Sequence, residues 1–193
     1  MIRAILFANF GVLTDIVFES FKNKIPDDIY AQIKTINESA DIGEIDDTTR
    51  NENVTKLLTS INIDGRTEIE QAYSRLRKRT ELFDYILELR EKYKIGMLSN
   101  VSNNIHRLYS AEELDKYFDD AVLSYQVRLT KPDPEIYRLA ARRLNVDPAN
   151  CVLVDDKQSN IDGAAAVGMH GILYTNFDQF RQDLLKILER ESA

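Results

Sequence analysis

The chain is predicted to be an α/β protein: a doubly wound, Rossmann-like parallel sheet with a small all-helical insertion after its first strand. Three observations carry this expectation. Short apolar runs recur at residues 2–7, 95–98, 121–123, 152–154 and 171–174; each has strand length and none alternates cleanly, as suits strands buried on both faces. Helical periodicities lie between them, such as Leu82, Tyr85, Ile86 and Leu89, or Ile136, Leu139, Ala140 and Leu144 after Pro134. The rhythm breaks from Asp15 to Arg79, where helical patterns continue without a convincing strand.

The first run reads as a buried strand and not a leader, because Asn9 interrupts it and no small-x-small cleavage site follows before Asp15. The insertion divides into helical pieces at 16–24, 27–39, 48–61 and 67–77, with turn signals at Pro26, Gly43 and Gly65. Entering directly after the first strand, it is expected above the carboxyl end of the sheet, where ligands bind in open α/β folds. These readings place an α/β core at 1–14 and 80–193 and a helical cap at 15–79. The last helix, 177–190, sets Phe180, Leu184, Ile187 and Leu188 on one face for packing against the sheet.

A length of 193 residues suits one core with a small appended unit. The net charge of -7, from 32 acidic and 25 basic residues, argues against broad attraction to a nucleic-acid backbone. No run approaches the ~18 apolar residues of a membrane span. A cytoplasmic protein is expected, with neither a nucleic-acid nor a membrane partner. Its oligomeric state stays open, since no apolar stripe is left over once the helices are packed.

Several residues invite chemistry and have a simpler structural reading. Cys151 sits in an apolar run and is expected to be a small, inert core residue. Neither His106 nor His170 has a second ligand nearby at metal-binding spacing. The stretch Ser110-Ala111-Glu112-Glu113 is a capping box. Arg50 and Arg66 stand near cap turns, where exposed surface positions are the simpler expectation than contact with an anionic substrate.

The polar groups that a buried strand does not need fall just after predicted strands. They are the segment from Ala8 to Asp15, then Leu98-Ser99-Asn100, Lys131-Pro132-Asp133-Pro134, and Val154-Asp155-Asp156 with Asn160 and Gly163. Singly, Ser99 reads as a helix cap, Lys131 as a loop lysine and Asp155-Asp156 as another cap. Together, in order and each at a strand end, they point to one site.

On these motifs the chain resembles the haloacid-dehalogenase (HAD) superfamily of hydrolases, in its helical-capped, phosphatase-like branch, over nearly its whole length. Asp41-Ile42-Gly43-Glu44-Ile45 is similar to a Gly-Glu-Ile turn of such caps. The resemblance implies hydrolysis of a small phosphorylated metabolite through an aspartyl-phosphate. Lys131 would pair with the nucleophile and a phosphate oxygen, while Ser99, Asn100 and adjacent backbone N–H groups would hold the other oxygens. Asp155, Asp156 and the backbone carbonyl of Phe10 would hold Mg²⁺.

The chain departs from that pattern at its first motif. Ala8 stands at the nucleophile position and Phe10 at the position of the acid–base aspartate. Branches that resemble this one dispense with the second carboxylate, so Phe10 is tolerable. Ala8 is decisive, because a methyl group can neither attack phosphorus nor ligate a cation. Weakened Mg²⁺ binding, and ligand binding without turnover, are the expectations. Three functions fit: a phosphatase inactivated by an Asp-to-Ala change at position 8, a natural pseudoenzyme that binds a phosphorylated ligand or protein partner, or a 2-haloacid dehalogenase. The acidic pair opposes the last.

Overall fold

The computed structural model describes residues 1–16 and 22–190. Five strands form one sheet: β1 (Ala4–Phe7), β2 (Lys94–Ser99), β3 (Asp120–Leu123), β4 (Cys151–Asp155) and β5 (His170–Leu173). Every pairing is parallel and the order is β3-β2-β1-β4-β5, which puts β1 at the centre. The predicted α/β class and all five strands are therefore present. The first strand begins at Ala4, later than the apolar run from residue 2.

The continuous apolar runs divide by alternation between the two faces, as the pleat requires. Ile5, Phe7, Ile95, Met97, Val152 and Val154 join one buried cluster with α4 (Thr80–Arg90) and α9 (Phe177–Arg190). Ala4, Leu6, Leu98, Cys151 and Leu153 join another with α7 (Pro134–Arg143) and α8 (Gln158–Ala166). Phe180 of α9 meets Phe7 edge-on, with ring centroids 5.7 Å apart, a favourable aromatic geometry. Of the predicted α9 face, Phe180 and Leu184 are fully buried, while Ile187 and Leu188 pack at the margin.

Between β1 and α4 the described residues contain α1 (Asp27–Asp41), α2 (Asp47–Thr59) and α3 (Gly65–Arg75), and no strand. The piece expected at 16–24 falls mostly outside the described residues. The three helices enclose their own apolar cluster of Ile29, Ile33, Val54, Leu58, Ile69 and Ala72, against which Phe10 also packs. Aspartates start two of them: the Asp46 carboxylate accepts from the Thr49 N–H at 2.7 Å, and Asp64 from the Thr67 N–H at 3.2 Å.

Arg50 overturns the expectation of an exposed arginine. It is 1% exposed, and its guanidinium donates to Asp47, Asn37 and the Tyr73 hydroxyl, at 2.6 Å, 3.3 Å and 2.5 Å respectively. A charge is tolerated at such depth because carboxylate and hydroxyl oxygens replace its water. Arg66 is exposed, as expected. No helix among the described residues is long and apolar enough to cross a membrane.

Candidate active site

The carboxyl ends of β1, β2 and β4 meet at one place. Ala8 N–H donates to the Val154 carbonyl at 3.0 Å, so the Ala8 methyl follows the central strand between the ends of its two neighbours. The chain then turns on Asn9, whose carbonyl accepts from Val12, Leu13 and Thr14 N–H. Gly11, at φ +84°, lies under Asp156: a Cβ there would stand 2.3 Å from the Asp156 carboxyl. Only glycine permits that approach and that backbone conformation.

Lys131 and Asp155 form the buried centre. Lys131 Nζ donates to Asp155 Oδ2 at 2.5 Å and to the Leu98 carbonyl at 2.7 Å. The other Asp155 oxygen accepts from Asn160 Nδ2 at 2.8 Å and from Lys157 N–H at 2.9 Å. Burial pulls the Lys131 pKa below its usual value, and the Asp155 carboxylate opposes that pull. With Ala8 at the nucleophile position, Lys131 is without the partner that the family resemblance implies. The Asp155 carboxylate supplies the counter-charge instead.

The loops around this pair are pinned to each other. Asn100 clamps the backbone of Lys131, its Nδ2 donating to the Lys131 carbonyl at 2.9 Å and its Oδ1 accepting from Lys131 N–H at 2.8 Å. Its side-chain oxygen and nitrogen are thereby both engaged by the Lys131 backbone. Ser99 is buried beside it at the end of β2. Asp156 is half-buried, and its pKa is raised by burial first and then by the neighbouring Asp155 charge.

A cavity of about 820 Å³ opens over these groups. Ala8, Asn9, Phe10, Ser99, Asn100, Lys131, Asp155 and Asp156 line its floor, and Tyr30, Lys34, Asn37, Asp41 and Arg50 of α1 and α2 line its other wall. All the predicted site residues are thus brought together. Neither His106 nor His170 lines it; the His106 ring meets Tyr125 Oη at 3.0 Å instead. Cys151 is fully buried in the core, where burial pushes its thiol up to about 12. Two participants were not anticipated in these roles: Asp41, marked only as part of a cap turn, lines the wall, and Tyr73 joins Arg50 to Asn104 Nδ2 at 2.8 Å.

Among the described residues no three His, Cys, Asp or Glu side chains cluster as a ready-made metal site. Both Asp155 oxygens are hydrogen-bonded within the protein, which leaves Asp156 as the carboxylate at the end of β4 that faces the cavity uncommitted. Since Mg²⁺ is usually held by one or two carboxylates together with water and phosphate oxygens, these residues fit a cation that is bound jointly with an anion.

A parallel sheet with a polar site at its carboxyl edge and a helical insertion after the first strand defines a hydrolase fold of the HAD type. The chain belongs to the haloacid dehalogenase-like hydrolase family, whose model matches residues 2–168. It is 33% identical over 130 residues to a D-ribitol-5-phosphate phosphatase of Bacteroides thetaiotaomicron, an alignment covering 63% of each chain. It is 33% identical over 109 residues to a phosphorylated carbohydrates phosphatase of Thermotoga maritima, covering 54% of this chain and 50% of the relative. The matched region is therefore less than two thirds of the length of these relatives. Among solved structures, a HAD family enzyme of Bacteroides thetaiotaomicron, an aspartate-to-alanine variant in complex with magnesium and inorganic phosphate, superposes with a TM-score of 0.72 at 25% identity. That superposition covers 91% of this chain and 95% of that one.

Proposed function

We propose that this chain descends from Mg²⁺-dependent phosphatases of small phosphorylated carbohydrates and, with Ala8, binds such a ligand without hydrolysing it. The observation that carries this reading is the Ala8 methyl. It occupies the end of the central strand, beside an otherwise furnished site of Ser99, Lys131, Asp155 and Asp156. The phosphatase relatives favour phosphorylated carbohydrates as the substrate class.

In this reading residues 15–79 are the cap and 1–14 with 80–193 the core. Ser99 and the backbone N–H groups near Asn100 hold phosphate oxygens, and the Lys131 ammonium neutralises part of their charge. Asp156, with the Phe10 carbonyl, holds Mg²⁺, which when bound would screen the phosphate from the acidic floor. Phe10 carries no acid–base function. The attacking carboxylate is the missing element.

The test is Ala8→Asp. The variant is expected to hydrolyse p-nitrophenyl phosphate and polyol phosphates in a Mg²⁺-dependent manner, while the unmodified chain does not. Absence of hydrolysis across several monoesters would reject the phosphatase lineage. Halide release from 2-chloropropionate without Mg²⁺ would replace it with the dehalogenase reading. An alanine codon in the source gene assigns the chain to the natural pseudoenzymes; an aspartate codon makes it an inactivated enzyme.

A further inference from the structure

A phosphate group fills only a fraction of the cavity, so the wall contributed by α1 and α2 must meet the rest of the ligand. On that wall the charged groups differ in how they are engaged. The Arg50 guanidinium already donates to Asp47, Asn37 and Tyr73. Lys34 pairs with Glu38 across one helical turn at 3.7 Å. Asp41, at the last turn of α1, lines the cavity, and no side chain or backbone N–H among the described residues donates to its carboxyl.

The backbone that carries that carboxyl is held from below. Ser124 Oγ donates to the Asp41 carbonyl at 2.5 Å and accepts from the Val101 N–H at 2.8 Å, which joins the end of α1 to the loop after β2. Two residues on, Gly43 turns at φ +73° so close to Tyr125 that a Cβ would stand 2.5 Å from its carbonyl oxygen. A carboxyl on so constrained a backbone is preorganised for a ligand hydroxyl, and loses little freedom when it makes the bond.

Resting on the phosphate-binding reading above, we infer that Asp41 is the residue by which this site selects a polyhydroxylated phosphate ester over an apolar one, accepting hydrogen bonds from the ligand's hydroxyl groups. The charged groups that face it are Arg50 from α2, Lys157 from the loop before α8 and Glu38 from its own helix. Its partly desolvated state favours such a bond, because a poorly hydrated carboxyl has less water to give up.

The experiment measures dissociation constants by calorimetry, in Mg²⁺-containing buffer, for inorganic phosphate, D-ribitol 5-phosphate and pentyl phosphate. The intact chain should bind the ribitol ester about tenfold more tightly than the pentyl ester, the size of one hydrogen bond to a charged group. Asp41→Ala should abolish that preference and leave inorganic phosphate binding unchanged; Asp41→Asn, which retains an acceptor oxygen, should keep part of it. Equal weakening of all three ligands, or an undiminished preference, overturns the inference. If none of the three binds the intact chain, the phosphate-binding reading falls and this inference with it.

Discussion

Lys131 Nζ and Asp155 Oδ2 lie 2.5 Å apart in a site from which both are almost wholly excluded from solvent, with side chains 3% and 1% exposed. The pair is internally neutral. It stays intact although the neighbouring strand ends in Ala8. The lysine is therefore part of the fold as well as part of the site.

Removing one half of that pair should unfold the site. Lys131→Met leaves a buried carboxylate with two hydrogen bonds but no counter-charge, at an expected cost of about 3–5 kcal/mol in urea denaturation. The double variant Lys131→Met with Asp155→Asn should recover much of the loss. A single variant as stable as the parent would show that the pair contributes nothing.

Asp41 should make stability depend on pH. Burial raises its pKa from 3.8 to about 7 in the folded chain, opposed by Arg50 and Lys157. The folded carboxyl then keeps its proton where the unfolded one has lost it. Its contribution is complete below about 3.8 and is lost as pH rises towards 7. Asp41→Asn, neutral throughout, should gain Tm relative to the parent across that interval and hold the gain above it. A difference in Tm that is flat with pH would contradict this assignment.

Tyr73 should hold the helical insertion to the core. Its hydroxyl accepts from Arg50 Nη2 at 2.5 Å and from Asn104 Nδ2 at 2.8 Å. Tyr73→Phe strips both donors of their acceptor at a cost of about 1–3 kcal/mol, the desolvation penalty of unsatisfied buried groups. Hydrogen exchange should speed up in α2, α3 and residues 102–105 more than in the sheet. Uniform exchange across the chain would place the hydroxyl outside the coupling.

Cation and anion should bind together. With Asp156 as the one uncommitted carboxylate at the strand ends, Mg²⁺ alone should raise Tm little, whereas Mg²⁺ with inorganic phosphate should stabilise by about 2.7 kcal/mol at a hundredfold excess over Kd. Ala8→Asp should give Mg²⁺ alone a measurable effect. Strong stabilisation of the unmodified chain by Mg²⁺ without phosphate would reveal a metal site that the present donor set does not predict.

The sheet and its strand-end motifs were legible because each is local: an apolar run, then a polar group at a fixed distance. Ala8, Ser99, Lys131, Asp155 and Asp156 could all be placed in one site on that basis. What could not be read was how polar groups pair across the chain. Arg50 looks like any surface arginine in a polar helix, and its burial depends on Asn37, Asp47 and Tyr73 converging from three helices. The commitment of Asn100 to the Lys131 backbone, and of Asp155 to Lys131, likewise spans 31 and 24 residues, beyond any periodicity.

An insertion joined to its core only by its two chain crossings is free to swing about the line between them, as a door swings on two hinges. Here the Ser124 hydroxyl holds the far edge of α1, and the Asn103 side chain accepts from the Asp47 N–H at 2.9 Å beside it. The door is thereby tied to its frame at points other than its hinges. Any exchange of ligand that required the insertion to lift would have to break both of these hydrogen bonds.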